Sequence, residues 1–338
     1  MEKDLNKLIF IILTLLLISC NSETKLVIVE GETMGTYYRV TTYSAGDKAG
    51  LKVDIDKFLM LFNNIFSTYI PTSEISEINN NKYAEVGVTD TMKKLLELSQ
   101  DISRKSKGYF DITVAPIVNA WGFGPAGKVL KRPSEEVLTE LKKNIGYYKL
   151  KFKEKILYRE SKAVQLDMSG IAKGFGVDEL VKFLEYQGYG DLLVDIGGEV
   201  RSRGKKTDGS LWRIGIEGPT ETLGSSISKV VELDNMALAT SGNYRNYVKF
   251  GDTVFGHTID PLTGKPAKHR TVSVSVLSEF CADADAWATA LMAMGSDKGL
   301  DLANKYNLLV YFQVQKNAKL EVLTSRAFDK YINKKKGL

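Results

Sequence analysis

A chain of 338 residues with 43% hydrophobic and 10% aromatic content can bury a large core, which excludes a disordered or low-complexity class. The formal net charge of +5 comes from dispersed lysines and arginines, and the densest run, Lys334 to Lys336, reads as a solvated tail or one touching lipid headgroups, so no nucleic acid is expected as a partner. Two cysteines and two histidines exclude a typical zinc site, and with Cys20 lipidated no intrachain disulfide can form around Cys281.

At the N-terminus, Leu8 to Ile18 is apolar throughout apart from Thr14. A spanning helix needs about 20 apolar residues, so this run suits a signal-peptide core. Leu17-Ile18-Ser19-Cys20 resembles a bacterial lipobox, in which Cys20 becomes the acylated first residue of the mature chain. Residues 1–19 therefore read as a lipoprotein signal peptide, 20–25 as the lipidated cysteine and a short tether, and 26–333 as the catalytic domain.

The β-branched and aromatic stretches 26–30 and 37–43 predict strands separated by a loop at 31–36. Ile55, Leu59, Phe62 and Phe66 recur at helical spacing, and 92–106 repeats the pattern after the capping residues Thr89 and Asp90. Ser134 with Glu135 and Glu136 starts another helix, which Gly146 stops, and 147–159 reads as a lysine-rich hairpin. Strand-like 163–167, helix-like 172–187 and strand-like 191–197 follow, with glycines at the junctions. Strands at 212–217, 230–233, 244–250 and 271–277 then precede helices at 283–294 and 297–305 and a last strand pair at 308–314 and 319–323. The sum is an α+β pattern, a single compact catalytic unit of mixed sheets and packed helices.

Several chemistries fail on spacing. The Gly-Lys pairs at Gly127, Gly204 and Gly264 are followed by Val129, Lys206 and Pro266, so none completes a P-loop. GxSxG, HExxH and CxxC are absent, and Gly170 to Gly176 has the wrong spacing for a dinucleotide fingerprint.

Four constellations remain. Asp167 to Gly174 places a carboxylate at a strand end, a small-residue turn, and Lys173 in the first turn of a helix, where backbone amides attract anions such as a diphosphate. A plain strand-to-helix connection would read the same way. Asp285 and Thr289 are four apart and share a helix face, a sparse oxygen set that suits Mg2+, which takes one or two carboxylates and completes its shell with water and phosphate. An acidic first turn favoured by the helix dipole is the alternative. Tyr69, Tyr109-Phe110-Asp111 and Trp121-Gly122-Phe123 offer aromatic faces for a planar ring or, equally, core, and 239–245 places hydroxyls in a turn. His257 stands between Gly256 and the Asp260-Pro261 turn, and an unperturbed imidazole pKa of about 6.5 suits a general base near neutral pH. His269 reads as a surface residue.

In series, GETMGTYY, STYIPTSEISEIN, GYFDITVAPIVNAWGFG, LDMSGIAKGFGVD, DIGGE, ATSGNYR, GHTIDPLTGKP and ADAWATALMAMG resemble the FAD:protein FMN transferase family, also called ApbE flavin transferases. The resemblance implies Mg2+-dependent transfer of the FMN half of FAD to a Thr or Ser hydroxyl of an acceptor protein, leaving AMP. It implies FAD contacts at Met34, Tyr69, Tyr109, Phe110, Asp111, Asp167, Lys173 and Ile259, metal ligands at Asp285, Thr289 and the Gly170 carbonyl, and His257 as general base. Ala288 stands where some members carry a second carboxylate, and some carry an acid where this chain has Lys173. The expected partner is a flavin-carrying subunit of a membrane redox complex, met by an exported lipoprotein held to the bilayer through acylated Cys20. Two other readings share these motifs: a Mg2+-dependent FAD pyrophosphatase giving FMN and AMP, and a flavin-binding lipoprotein without turnover.

Overall fold

The structure, a computed structural model, describes residues 24–44, 46–218, 227–242, 247–251, 253–317 and 319–336. The signal segment, Cys20 and residues 243–245 of the expected hydroxyl-bearing turn lie outside them. Val27 and Val29 on β1 (Lys25–Thr33), with Tyr38 and Val40 on β2 (Thr36–Ser44), alternate inward as strand pleating requires. The expected six-residue loop between them is a two-residue turn. Met34 and Gly35 both take left-handed backbone (φ 51° and 70°), which matches the twist of a hairpin, and Thr33 pairs directly with Thr36.

Asp47 caps α1 (Lys48–Phe66), whose stripe Leu51, Ile55, Leu59, Phe62 and Phe66 is buried. After α2 (Glu74–Asn80) and β3 (Glu85–Gly87), Thr89 caps α3 (Asp90–Lys105). Helices α4 (Ala115–Ala120) and α5 (Glu135–Lys142) follow, then the lysine-rich hairpin β4 (Leu150–Lys153) and β5 (Ile156–Arg159). Residues 163–167 form no strand. Their backbone is held by the Asn79 side chain, which accepts from Leu166 N–H at 2.7 Å and donates to its carbonyl at 2.8 Å, while Asp167 N–H donates to the Ile112 carbonyl. A side-chain amide thus replaces a ladder partner.

The second half supplies α6 (Ala172–Tyr186), β6 (Leu192–Ile196), β7 (Glu199–Arg203), the hairpin β8 (Trp212–Glu217) and β9 (Ile227–Leu233), then β10 (Ala237–Gly242), the small hairpins β11 (Tyr247–Phe250) with β12 (Thr253–Gly256) and β13 (Ile259–Asp260) with β14 (Lys265–Pro266), and β15 (Thr271–Ser278). Helices α7 (Cys281–Met294) and α8 (Ser296–Lys305), strands β16 (Leu309–Lys316) and β17 (Lys319–Thr324), and α9 (Arg326–Lys336) complete it. Eight strands form one sheet in the order β1-β2-β6-β7-β10-β15-β16-β17, each pairing antiparallel.

Both faces of this sheet are covered, so alternate residues feed different cores. Ala239, Val276, Val310 and Phe312 join the core that holds α7, whereas Leu238, Leu277 and Tyr311 pack with Ile216, Leu233 and Phe328 of the β8–β9 hairpin and α9. The lysine run ends a docked helix: Phe328 is buried and the Tyr331 hydroxyl donates to the Glu232 carbonyl at 2.7 Å, while Lys334 itself is exposed. Among the described residues no helix is long and apolar enough to cross a membrane.

Candidate active site

Glycine lets α6 and α7 touch. A Cβ on Gly174 would lie 2.3 Å from the Cys281 carbonyl oxygen, and the Gly174 N–H donates to Asp285 Oδ2 at 2.9 Å. One amide at the start of α6 is thus engaged by one of the protein's own carboxylates, so the Gly174 N–H adds nothing to an anion site there, while Lys173 stays in the cavity wall. One turn further along α6, Asp178 accepts from Cys281 N–H and Ala282 N–H, both at 2.9 Å, and pairs with Arg201 of β7 at 2.6 Å. Asp178 so caps α7, which has no cap of its own.

One turn along α7 from Asp285, Thr289 approaches Gly170: a Cβ on Gly170 would lie 2.9 Å from Thr289 Cγ2 and 3.1 Å from its Oγ1. The expected metal trio is therefore gathered in one place, with Ser241 Oγ of β10 at 3.3 Å from Thr289 Oγ1. Ala288 is fully buried and brings no oxygen. Among the described residues no cluster of three His, Cys, Asp or Glu could hold a metal. One carboxylate, one hydroxyl and one carbonyl fit a hard cation that keeps water and phosphate, which is the demand of Mg2+. Burial raises the Asp285 carboxyl, Lys173 opposes that, and a cation in the cavity would favour the ionised form further.

A cavity of about 640 Å³ joins these groups to most of the remaining expected residues, a size that suits a cofactor-sized ligand. Met34, Tyr109, Phe110, Asp111, Asp167, Gly170, Lys173, His257, Ile259, Asp285 and Thr289 all line it. Met34 occupies left-handed backbone that methionine disfavours, a local strain of the kind held at functional sites. Lys107 and Gly108, also left-handed, reverse the chain after α3 and deliver Tyr109 to Asp111.

Asp111 is engaged by its own chain: Oδ1 accepts from Thr113 N–H and Oγ1, Oδ2 from Tyr147 N–H at 2.7 Å, and burial still raises its carboxyl. It fixes the loop beside Phe110 more than it offers free oxygens. Asp167 Oδ1 accepts from Ser169 N–H at 2.7 Å, which shapes the turn that presents Gly170.

Tyr69 is the residue the main cavity does not include. It leaves the turn after α1 with 70% exposure and lines a smaller neighbouring cavity of about 200 Å³ with Asn79 and Phe123; the two cavities share Asp167 and Ser169. Trp121 proves to be core, its indole N–H donating to the Gly264 carbonyl at 3.0 Å. Phe123 stands edge-on to the His257 ring at 6.4 Å between centroids. His269 is half-buried rather than a surface residue: Nδ1 accepts from Thr271 N–H, and the other ring nitrogen lies 2.7 Å from the Met292 carbonyl.

Glu199 and Asp195, the two acids of the DIGGE segment, carry no expected role in the sequence. The turn Gly197-Gly198 (φ 59° and 97°) folds β7 back on β6 and sets Glu199 in the cavity wall with 4% side-chain exposure, its Oε1 bound by Lys173 Nζ. Asp195 accepts from Gly198 N–H at 2.8 Å and from the Tyr37 hydroxyl at 3.2 Å. An acid directly after a Gly-Gly turn that follows the apolar strand LLVDI was the available signal, since buried acids need partners. Thr240 and Ser241 sit on a strand, not in a turn, and face the cavity.

A family model described as the ApbE family matches residues 34–312. The FAD:protein FMN transferase of Haemophilus influenzae is 36% identical over 340 residues, covering 98% of both chains. That of Escherichia coli K12 is 31% identical over 316 residues, covering 91% of this chain and 90% of its own. Among solved structures, the flavin transferase ApbE from Vibrio cholerae superposes with a TM-score of 0.83 at 33% identity, covering 91% of this chain and 99% of its own. The apo flavinyl transferase ApbE of Pseudomonas stutzeri gives 0.84 at 33% identity, with 91% and 97% covered.

Proposed function

This chain belongs to the ApbE family, and from that premise we propose that it transfers the FMN moiety of FAD to a Thr or Ser hydroxyl of an acceptor protein, with Mg2+ as cofactor and AMP as the leaving product. The observation that carries the reading is the convergence of Gly170, Asp285, Thr289 and His257 on one cavity of about 640 Å³.

The acceptor hydroxyl oxygen bonds to the phosphorus on the FMN side of the diphosphate. His257 Nε2 or Nδ1 takes the hydroxyl proton as the bond from that phosphorus to the bridging oxygen breaks, and the electron pair leaves with AMP. Met34, Phe110 and Ile259 supply apolar surface for the flavin, and the Asp167 turn holds Gly170 in place. When bound by Asp285, Thr289 and the Gly170 carbonyl, Mg2+ supplies charge neutralisation at the phosphates.

The N-terminal apolar run and Cys20 support export and anchoring by acylation, with a flavin-carrying subunit of a membrane redox complex as acceptor. Mass spectrometry of an acceptor domain incubated with FAD, Mg2+ and the detergent-solubilised chain tests the activity. Addition of an FMN phosphoester that EDTA abolishes supports transfer; free FMN and AMP with an unmodified acceptor supports the pyrophosphatase instead. Metabolic labelling with an alkynyl fatty acid, lost in Cys20→Ser, tests the anchor.

A further inference from the structure

Lys173 and Glu199 form an ion pair beside Asp285, the Glu199 carboxylate buried and the lysine half-buried. The Lys173 Nζ is bound to Glu199 Oε1, while Glu199 Oε2 is buried with no hydrogen-bond partner among the described residues. A carboxylate held this way is costly, because taking it out of water is compensated on one oxygen only. Asp285 lies close to the same lysine: burial alone would push the Lys173 ammonium down, but the charges of Glu199 and then Asp285 hold it above the ordinary lysine value. Asp285 Oδ2 accepts from Gly174 N–H, and among the described residues Oδ1 accepts nothing. One ammonium therefore stands between two carboxylates and is hydrogen-bonded to only one of them.

We propose that Glu199 is a positioning residue that holds the Lys173 ammonium away from Asp285, so that Asp285 Oδ1 stays available to a divalent cation. Without the Glu199 charge, the lysine has Asp285 as its remaining neighbouring anion and neutralises the carboxylate the cation needs. Burial pushes the Glu199 carboxyl up to about 7 although Lys173 opposes it; with both carboxyls ionised, Lys173, Glu199 and Asp285 together carry one net negative charge, Glu199→Gln leaves none, and removing the lysine charge as well restores it. The inference rests on the metal reading of Asp285 and Thr289.

Titrating the full-length detergent-solubilised chain with Mn2+ and following free Mn2+ by electron paramagnetic resonance tests it without reference to activity. Glu199→Gln should weaken Mn2+ binding about tenfold, and the double variant Lys173→Met/Glu199→Gln should return to within about threefold of the parent, an interaction that a double-mutant cycle isolates. Asp195→Asn removes an equal charge from the same cavity without releasing the lysine and should change affinity less than about threefold. Unchanged binding in Glu199→Gln overturns the proposal, as does failure of the double variant to recover or an equal loss in Asp195→Asn. If Asp285→Asn leaves Mn2+ binding intact, the metal reading itself falls and the proposal with it. Far-ultraviolet circular dichroism and melting of each variant separate loss of the site from loss of the fold.

Discussion

Gly174→Ala adds one methyl group where α6 and α7 have no room for it. Its Cβ would lie 2.3 Å from the Cys281 carbonyl oxygen, 2.7 Å from that carbonyl carbon and 2.8 Å from Asp285 Cβ. The first two are main-chain atoms, so no rotamer change relieves the clash, and ordinary contact requires the helices to part by about 1 Å. That displacement strains three hydrogen bonds, from Gly174 N–H to Asp285 and from Cys281 N–H and Ala282 N–H to Asp178. Overpacking costs about 1–3 kcal/mol and each weakened bond up to about 1 kcal/mol, so the expected destabilisation is about 2–5 kcal/mol. Asp285 moves with its helix, and misplacement on this scale costs roughly a hundredfold in rate. The assay is fluorescence of covalently bound flavin on the acceptor in a denaturing gel, beside a thermal melt and Mn2+ affinity. Gly190→Ala, whose Cβ meets nothing within 4 Å, is the matched control and should behave as the parent. A Gly174→Ala protein with parental cation affinity and transfer rate would refute the claim that this close approach sets the metal ligand.

His257→Ala should lower flavin transfer by about two to four orders of magnitude, the usual worth of a general base, while FAD binding by fluorescence quenching stays within a few-fold. Met34→Asn relieves left-handed backbone strain by up to about 1 kcal/mol but removes a side chain packed against both main cores, so the melting temperature should not rise while FAD affinity falls with the lost apolar wall. Asp178→Ala leaves the buried Arg201 guanidinium unpaired and the first N–H groups of α7 uncapped, a cost of about 3 kcal/mol or more that a denaturant titration reads directly.

Much of this site was legible because its parts obey local rules. The stripe of α1, the Thr89 cap of α3 and the Asp285–Thr289 spacing of α7 are periodic or positional signals, and each appears where it was expected. What escaped depends on contacts across the chain. Residues 163–167 look like a strand by composition, yet Asn79, 87 positions before Leu166, takes the ladder's place. Glu199 shows no role within DIGGE because its significance lies in Lys173 and Asp285, brought to it by β7 packing on α6. The ion pair of Lys173 is hidden for the same reason: a lysine in a helical first turn reads as a phosphate contact and carries no mark of the acid it meets. Gly174 was legible only as an irregular glycine, since its reason is the Cys281 carbonyl on another helix.

The charge of the cavity constrains how substrate and cation enter it. Asp111, Asp167, Asp195, Glu199, Glu217 and Asp285 line it, against Lys173 as the one lysine or arginine among the described lining residues. A dianionic diphosphate entering such walls is repelled, and low-dielectric surroundings strengthen the repulsion. Binding of FAD should therefore depend on a cation held between the Asp285 side and the phosphates. Linkage makes the dependence reciprocal: the factor by which saturating Mg2+ tightens FAD must equal the factor by which saturating FAD tightens Mg2+, and couplings of this kind are about 5- to 150-fold. Fluorescence titration of FAD with and without EDTA, paired with a cation titration with and without FAD, measures both factors. Equal factors within that range support the electrostatic account. FAD affinity untouched by EDTA would mean that the phosphates sit away from these carboxylates, and the placement of the diphosphate beside Asp285 would have to be abandoned.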